Sequence, residues 1–193
     1  MTKWLSHRMV ERGIIKEEEQ ELYQFGIRNG MILLLNVVTA LVIGLLTEQL
    51  AVVAVFTLSF MVLRSYTGGY HSDSRIFCYL GSNLVLLVPV YTQAVFYKTS
   101  LARLLAVLLV SAGIIFLLSP MHSKNRKLDK EEQKHFGRKA RLIAALELAV
   151  LGILWHAGQI PYAYAVYTGI CITALFMIVG KAQLWMQSHT ENG

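Results

Sequence analysis

Long apolar stretches separated by short charged segments are the feature that most constrains this chain. A helix needs about 20 apolar residues to cross the hydrocarbon core of a bilayer. Only 16% of the residues are charged, against about 25% in a typical soluble domain, and an ionised side chain at the bilayer centre costs roughly 3 kcal/mol or more. The sequence therefore predicts an all-α, polytopic integral membrane protein with about six transmembrane helices. The six stretches are residues 30–46, 49–63, 76–97, 101–118, 142–159 and 161–180.

The organisation that follows is a single membrane-embedded domain over residues 1–193. Residues 1–29 precede the first stretch, residues 30–180 hold the six spans, and residues 181–193 form a tail. In the first segment, apolar residues alternate with Glu and Lys at roughly helical spacing, which is typical of amphipathic helices on a membrane surface. These helices could handle a substrate or could only anchor the first span, and the sequence leaves both readings open.

The basic residues indicate how the spans are oriented. If the N-terminus is inside, the inner segments carry five Lys and Arg in residues 1–29, two in 64–75, eight in 119–141 and one in the tail. The outer segments carry two, Lys98 and Arg103. Cytoplasmic connections of membrane proteins are enriched in Lys and Arg in this way. We therefore expect both termini and the 64–75 connection to face the cytoplasm.

The connection and helix start at residues 64–80, RSYTGGYHSDSRIFCYL, combine the groups that nucleophilic chemistry needs. Gly68-Gly69 permits backbone turns closed to other residues. His71 titrates near neutral pH, and Cys78 is a candidate nucleophile if it can be held as a thiolate. On one continuous helix His71 and Cys78 would stand roughly 10 Å apart, whereas proton transfer needs about 3 Å. A working pair therefore requires the connection to fold back.

The residues before Cys78 allow that fold. Ser72, Asp73 and Ser74 are all good N-cap residues, so the third membrane helix is expected to start there. Cys78 would then lie in the first or second helical turn, where the positive end of the helix dipole favours a thiolate. The alternative is that Cys78 is a small buried hydrophobe and His71 a solvated loop residue, as we expect for Cys171 and for the other histidines.

The cysteine and histidine spacing gives no reason to expect a metal or a cofactor. The two cysteines are too few for a disulfide framework, and no Cys/His cluster has zinc-site spacing. We also expect no nucleic-acid partner.

Two further features have competing interpretations. The basic connection 119–141, which includes Lys124, Arg126 and Lys127, could attract an acidic peptide or anionic lipids, or it could only hold the connection inside. Glu147 falls within the fifth span and should face the bundle interior, because a carboxylate is costly in lipid. It could line a peptide path or simply clamp helices.

The pattern Arg64…Gly68-Gly69-x-His71…Cys78 resembles the signature of the accessory gene regulator B (AgrB) family. The chain length, the charged N-terminal segment, the six spans and the basic connection are similar too. The members of the AgrB family are membrane cysteine endopeptidases of bacterial quorum sensing. The resemblance implies that His71 and Cys78 are the catalytic pair and that Arg64 and Gly69 support activity.

That family's reaction implies a substrate, a partner and a location. The partner would be a precursor peptide of the AgrD type. The enzyme would cut it before its acidic C-terminal tail and retain the rest as a thioester on the enzyme thiol. An internal Cys or Ser of the peptide would then displace that thiol and close a thiolactone or lactone ring. Asp73 is the nearest candidate to orient His71. The bacterial cell membrane would be the location, and a homodimer remains open. The alternative from another class is a non-enzymatic transporter subunit or scaffold.

Overall fold

The computed structural model of the protein describes residues 2–68, 75–121 and 129–190. These residues contain α-helices, one short 3-10 helix and no strand. The predicted all-α fold class is therefore confirmed. The 3-10 helix spans Glu17–Glu19, and the α-helices are α1 Thr2–Glu11, α2 Gln20–Leu46, α3 Leu50–Thr67, α4 Arg75–Tyr91, α5 Gln93–Lys98, α6 Leu101–Leu118, α7 Lys130–His156 and α8 Ile160–Thr190.

Four helical segments in the described residues are long and apolar enough to cross a membrane: Glu17–Leu46, Leu50–Thr67, Leu101–Leu118 and Ile160–Met186. They correspond to the first, second, fourth and sixth predicted stretches. The third stretch is interrupted at Thr92, between α4 and α5, and the apolar part of α4 is shorter than a full span. The fifth stretch lies in α7, whose first half is charged. The chain is an integral membrane protein by this composition, and the count of six spans stays a prediction.

The chain divides into two compact units, Met1–Thr39 and Ala40–Gly193. In the first unit, α1 ends near Gly13, which has a positive φ of 66° and turns the chain toward the 3-10 helix. The amide of Gln20 donates a hydrogen bond of 3.5 Å to the buried Ser6 hydroxyl. Trp4, Leu22 and Phe25 are exposed, and the amphipathic character of residues 1–29 stays a prediction. The helix α2 starts well before the predicted span, at Gln20.

The core of the second unit is built around α3 and α8. Phe56 and Leu63 of α3 and Ile170 and Met177 of α8 are almost completely buried. Gly169 allows a close approach of the two helices, because a Cβ atom there would lie 2.5 Å from the Ser59 hydroxyl oxygen. One to two turns further along both helices, Arg64 lies against Phe176, so α3 and α8 run in the same direction. The second and sixth predicted spans require that direction.

The helices of the second unit meet at two opposite ends. At one end, α3, α6 and α7 meet: the Met121 amide donates to the Thr67 carbonyl at 2.9 Å, and a Cβ atom on Gly137 would lie 2.9 Å from Pro120 Cδ. At the other end, the ring of Phe96 in α5 lies 4.8 Å from Tyr164 of α8 and 6.2 Å from Trp155 of α7. The first of these ends holds the start of the segment that carries Gly69 and His71.

The predicted orientation can be tested by thiol labelling. In a Cys78→Ser, Cys171→Ser background, Ser65→Cys and Ser123→Cys should resist an impermeant maleimide added to intact cells, whereas Lys98→Cys should react. A permeant maleimide should label all three, which controls for burial. Reaction of the first two with the impermeant reagent would place the Gly68 end of the bundle outside the cell.

Candidate functional site

The C-terminal end of α3 is the described part of the candidate site. The helix continues to Thr67, so Arg64 lies in its last turn and not in a loop. The Gly68 amide donates to the Arg64 carbonyl at 3.2 Å. Gly68 then leaves the helix with φ 72° and ψ −153°, a conformation essentially restricted to glycine. The backbone conformation at position 68 therefore explains why the first residue of the pair is glycine.

Gly68 is also in close contact with the end of α6. A Cβ atom on Gly68 would lie 2.7 Å from the Met121 carbonyl oxygen, and the Met121 amide bonds to the Thr67 carbonyl. The segments after Gly68 and after Met121 therefore begin side by side.

The helix α4 carries the candidate nucleophile. Its described part begins at Arg75, and the expected N-cap residues Ser72, Asp73 and Ser74 lie outside the described residues. Cys78 is the fourth residue of this described part and is helical. Its side chain lies outside the described residues, as do Gly69, His71, Asp73, Lys124, Arg126 and Lys127.

Arg64 lies beside two aromatic rings. Its guanidinium carbon lies 4.7 Å from the ring centroid of Phe176 in α8 and 5.9 Å from that of Phe60, one turn earlier in α3. The two phenylalanine rings are 5.8 Å apart in an edge-to-face arrangement. The sequence analysis missed Phe176, because nothing in one apolar stretch distinguishes a phenylalanine that faces an arginine from one that faces lipid.

The basic connection is partly helical. The Asp129 carboxylate accepts a 2.7 Å hydrogen bond from the Glu132 amide, and Glu132 bonds back to the Asp129 amide at 3.4 Å, so the two form a capping box that starts α7 at Lys130. The expected connection over 119–141 is therefore helical from Lys130 onward. The Asp-x-x-Glu spacing was a signal that could have located this helix start.

The start of α7 brings cationic and aromatic groups to the end of α3. The Lys139 ammonium lies 5.9 Å from the ring centroid of Tyr66, and the ring of Phe136 is 6.4 Å from the same tyrosine. The Arg141 side chain donates to the Phe116 carbonyl near the end of α6 at 3.2 Å. Positive charge therefore lies near the Gly68 turn even among the described residues.

Glu147 lies deeper in the bundle. Its carboxylate accepts a 2.7 Å hydrogen bond from Ser59 of α3, and Ser59 packs against Gly169 of α8. The Glu147 carboxylate of α7 thus bonds to α3 at a residue that packs on α8. Ser59 lies about one and a half turns of α3 before Arg64. This contact fits a helix clamp, which was one of the two roles left open.

Substitutions at Glu147 should separate its hydrogen bond from its charge. Glu147→Gln keeps an oxygen acceptor for the Ser59 hydroxyl and should cost less than about 1 kcal/mol. Glu147→Ala removes the acceptor from a buried hydroxyl and should cost about 1–3 kcal/mol, seen as a lower melting temperature in detergent. The exposed Glu131→Ala is the control. Equal losses for Gln and Ala would contradict the clamp and indicate that the charge matters.

Among the described residues, no group of three or more His, Cys, Asp and Glu side chains could hold a metal ion.

These apolar helices and the polar groups at one end of the bundle define an all-α integral membrane protein. The sequence matches the accessory gene regulator B family (AgrB) over residues 1–179, which is nearly the whole chain. The protein therefore belongs to the AgrB family, which is part of accessory gene regulator quorum sensing.

Two relatives in Clostridium perfringens are described as AgrB-like proteins. The one from strain SM101 is 23% identical over 148 residues, covering 74% of this chain and 69% of the relative. The one from strain 13 is 25% identical over 134 residues, covering 65% of this chain and 61% of the relative. The matches thus span somewhat over three fifths of these relatives. No solved structure matches the chain.

Proposed function

We propose that the protein is a membrane-embedded cysteine endopeptidase that matures an AgrD-like precursor peptide, with Cys78 as nucleophile and His71 as general base and acid. The observation that supports this proposal most is the match to the AgrB family over residues 1–179, because the pattern Arg64…Gly68-Gly69-x-His71…Cys78 lies within the matched residues. Membership of the AgrB family supports the identity of the substrate. The proposed location is the bacterial plasma membrane, with both termini in the cytoplasm.

The first half of the reaction forms an acyl-enzyme. His71 removes the proton from the Cys78 thiol, and the thiolate attacks the carbonyl carbon before the acidic tail. The oxyanion that forms can accept hydrogen bonds from backbone N–H groups at the glycine turn or at the start of α4. The C–N bond then breaks, the protonated His71 gives its proton to the leaving amine, and the core of the peptide stays on Cys78 as a thioester.

The second half closes the ring. An internal Cys or Ser of the retained peptide loses its proton to His71 and attacks the thioester carbonyl, so that Cys78 leaves as a thiolate and takes the proton back. The product is a thiolactone or a lactone. Water would compete as a nucleophile, so a site at the membrane interface, from which water is partly excluded, favours cyclisation over hydrolysis. Asp73 is proposed to orient His71.

The acyl-enzyme gives a direct test. Purified protein mixed with a precursor peptide, then acid-quenched and digested, should yield a thioester adduct on the peptide that contains Cys78, and hydroxylamine should release it. A precursor whose internal Cys is replaced by Ala should accumulate more adduct because cyclisation is blocked. An adduct on Cys171 would contradict the assignment of the nucleophile, and no adduct at all would favour a transporter subunit or scaffold.

The basic segment after Met121 is proposed to attract the acidic tail. Converting Lys124, Arg126 and Lys127 to Gln should raise the apparent KM more than it lowers kcat, because attraction of a remote tail acts on binding and the transition state alike. Exposed charges are screened over roughly 8 Å at physiological salt, so the variant should also lose much of the salt dependence of cleavage. Equal KM values and salt slopes for the two proteins would leave the segment as a topology signal.

A further inference from the structure

The outward face of α7 changes from basic to apolar within one helical turn. Lys134, Arg138, Leu142 and Leu146 follow one another at four-residue spacing, which keeps them on one side of the helix. All four side chains are exposed, whereas Ala144 on the opposite side is buried. Exposed leucines suit hydrocarbon, and cations are costly there. The surface of the hydrocarbon core therefore crosses this face between Arg138 and Leu142.

The neighbouring helix α6 marks the same level. The Arg141 side chain of α7 donates to the Phe116 carbonyl at 3.2 Å, and the next residue of α6, Leu117, is 83% exposed. From Arg141, Arg138 lies about 4.5 Å and Lys134 about 10 Å further along the helix axis. The headgroup layer is roughly 5–8 Å thick on each side of the hydrocarbon core. These cations therefore lie in the headgroup layer or at its outer edge.

The cations on this face are not neutralised by acidic partners among the described residues. In that part of the chain, Lys134, Arg138 and Arg141 form no ion pair with a carboxylate. Glu131 lies on the same side of α7, but it is about 15 Å from Arg141 along the axis and so lies outside the headgroup layer. A phosphate group at the depth of Arg138 would thus meet uncompensated positive charge.

We propose that this face of α7, with Lys134 and Arg138 at its centre, binds the headgroup of an anionic phospholipid whose acyl chains lie along Leu142 and Leu146. An anionic phospholipid matches both parts of the face, because its phosphate group continues directly into its acyl chains. An acidic peptide would match only the cations. The inference does not depend on the proposed peptidase activity, and it holds for either orientation of the chain in the membrane.

Binding of two lipids to the purified protein tests the proposal. The protein in detergent is titrated with phosphatidylglycerol or with phosphatidylcholine, and native mass spectrometry gives a dissociation constant for the first bound lipid of each kind. The measured quantity is the ratio of the two constants, in which the folded fraction of each variant cancels. The wild type should prefer phosphatidylglycerol. Lys134→Gln with Arg138→Gln should lower that preference about tenfold or more, because about 1 kcal/mol for each cation corresponds to roughly fivefold in binding.

Two control variants separate the site from the net charge of the protein. Lys134→Arg with Arg138→Lys keeps both charges and should keep the wild-type preference. Lys98→Gln with Arg103→Gln removes the same charge from exposed residues of α5 and α6 and should keep the preference too. Equal losses for the two Gln pairs would indicate a general effect of net charge and would overturn the site. An unchanged preference in Lys134→Gln with Arg138→Gln would overturn it as well.

A peptide titration tests the other possible occupant of this face. A peptide with an acidic tail is titrated against the wild type and against Lys134→Gln with Arg138→Gln, both in nanodiscs of phosphatidylcholine alone. The two proteins should bind the peptide with the same affinity. A weaker affinity in the variant, together with an unchanged lipid preference, would assign the face to an acidic peptide and overturn the lipid site.

Discussion

Cys78→Ala should leave a co-expressed precursor peptide uncleaved, with processing lowered about 10³-fold or more, because a peptidase without its nucleophile retains only binding and oxyanion stabilisation. His71→Ala should lose activity to a similar extent. The double variant should be little worse than either single one, since the two groups act as a unit. Mass spectrometry of the intact and cleaved peptide is the measurement.

The chain contains its own control for this experiment. Cys171 lies in the middle of α8, partly buried, and lines a cavity of about 390 Å³ between α6 and α8 together with Ser111. Cys171→Ala removes the only other thiol of the chain and should process the precursor at the wild-type rate. Normal processing by Cys78→Ala would refute the peptidase proposal as a whole, whatever Cys171→Ala does.

Gly68→Ala should be the most damaging single-methyl addition at the Gly68 end of the bundle. Alanine is strained at φ 72° and ψ −153° by about 1–3 kcal/mol, and its methyl group would sit 2.7 Å from the Met121 carbonyl oxygen. That oxygen is backbone, so relief requires α3 and the end of α6 to move apart. We expect a melting temperature lower by several degrees in detergent and loss of precursor processing.

Gly81→Ala is the matched control for that substitution. Gly81 lies inside α4 with open space where its Cβ would point, so alanine should raise the stability by about 0.5–1 kcal/mol through helix propensity. If Gly68→Ala has the same melting temperature and the same activity as the wild type, the turn at the end of α3 is not as tightly determined as the geometry indicates.

Sequence reasoning succeeded where one local signal dominates. Stretches of about 20 apolar residues predict helices in lipid regardless of what packs against them. The glycine at position 68 was correctly expected in a backbone turn. In each case the cause lies within a few residues of the feature.

The parts that could not be predicted depend on contacts between distant segments. The aromatic ring beside Arg64 comes from α8, and the hydrogen-bond partner of Glu147 comes from α3. In the sequence, Phe176 and Ser59 look like ordinary members of apolar stretches. The start of α7 is a different case, since the Asp129 and Glu132 spacing is a local signal that the sequence already contains.

The backbone hydrogen bond from Met121 to Thr67 has a consequence for the design of chimaeras between this chain and its relatives. In the sequence, residues 69–74 lie between Gly68, which ends α3, and Arg75 in α4, and residues 122–128 lie between Met121 and Asp129, which caps α7. Segments bounded in this way can be exchanged between homologues as cassettes while the helical scaffold stays constant. Chimaeras joined at these four residues would exchange the two segments independently. They would show whether one segment determines the chemistry and the other the choice of peptide.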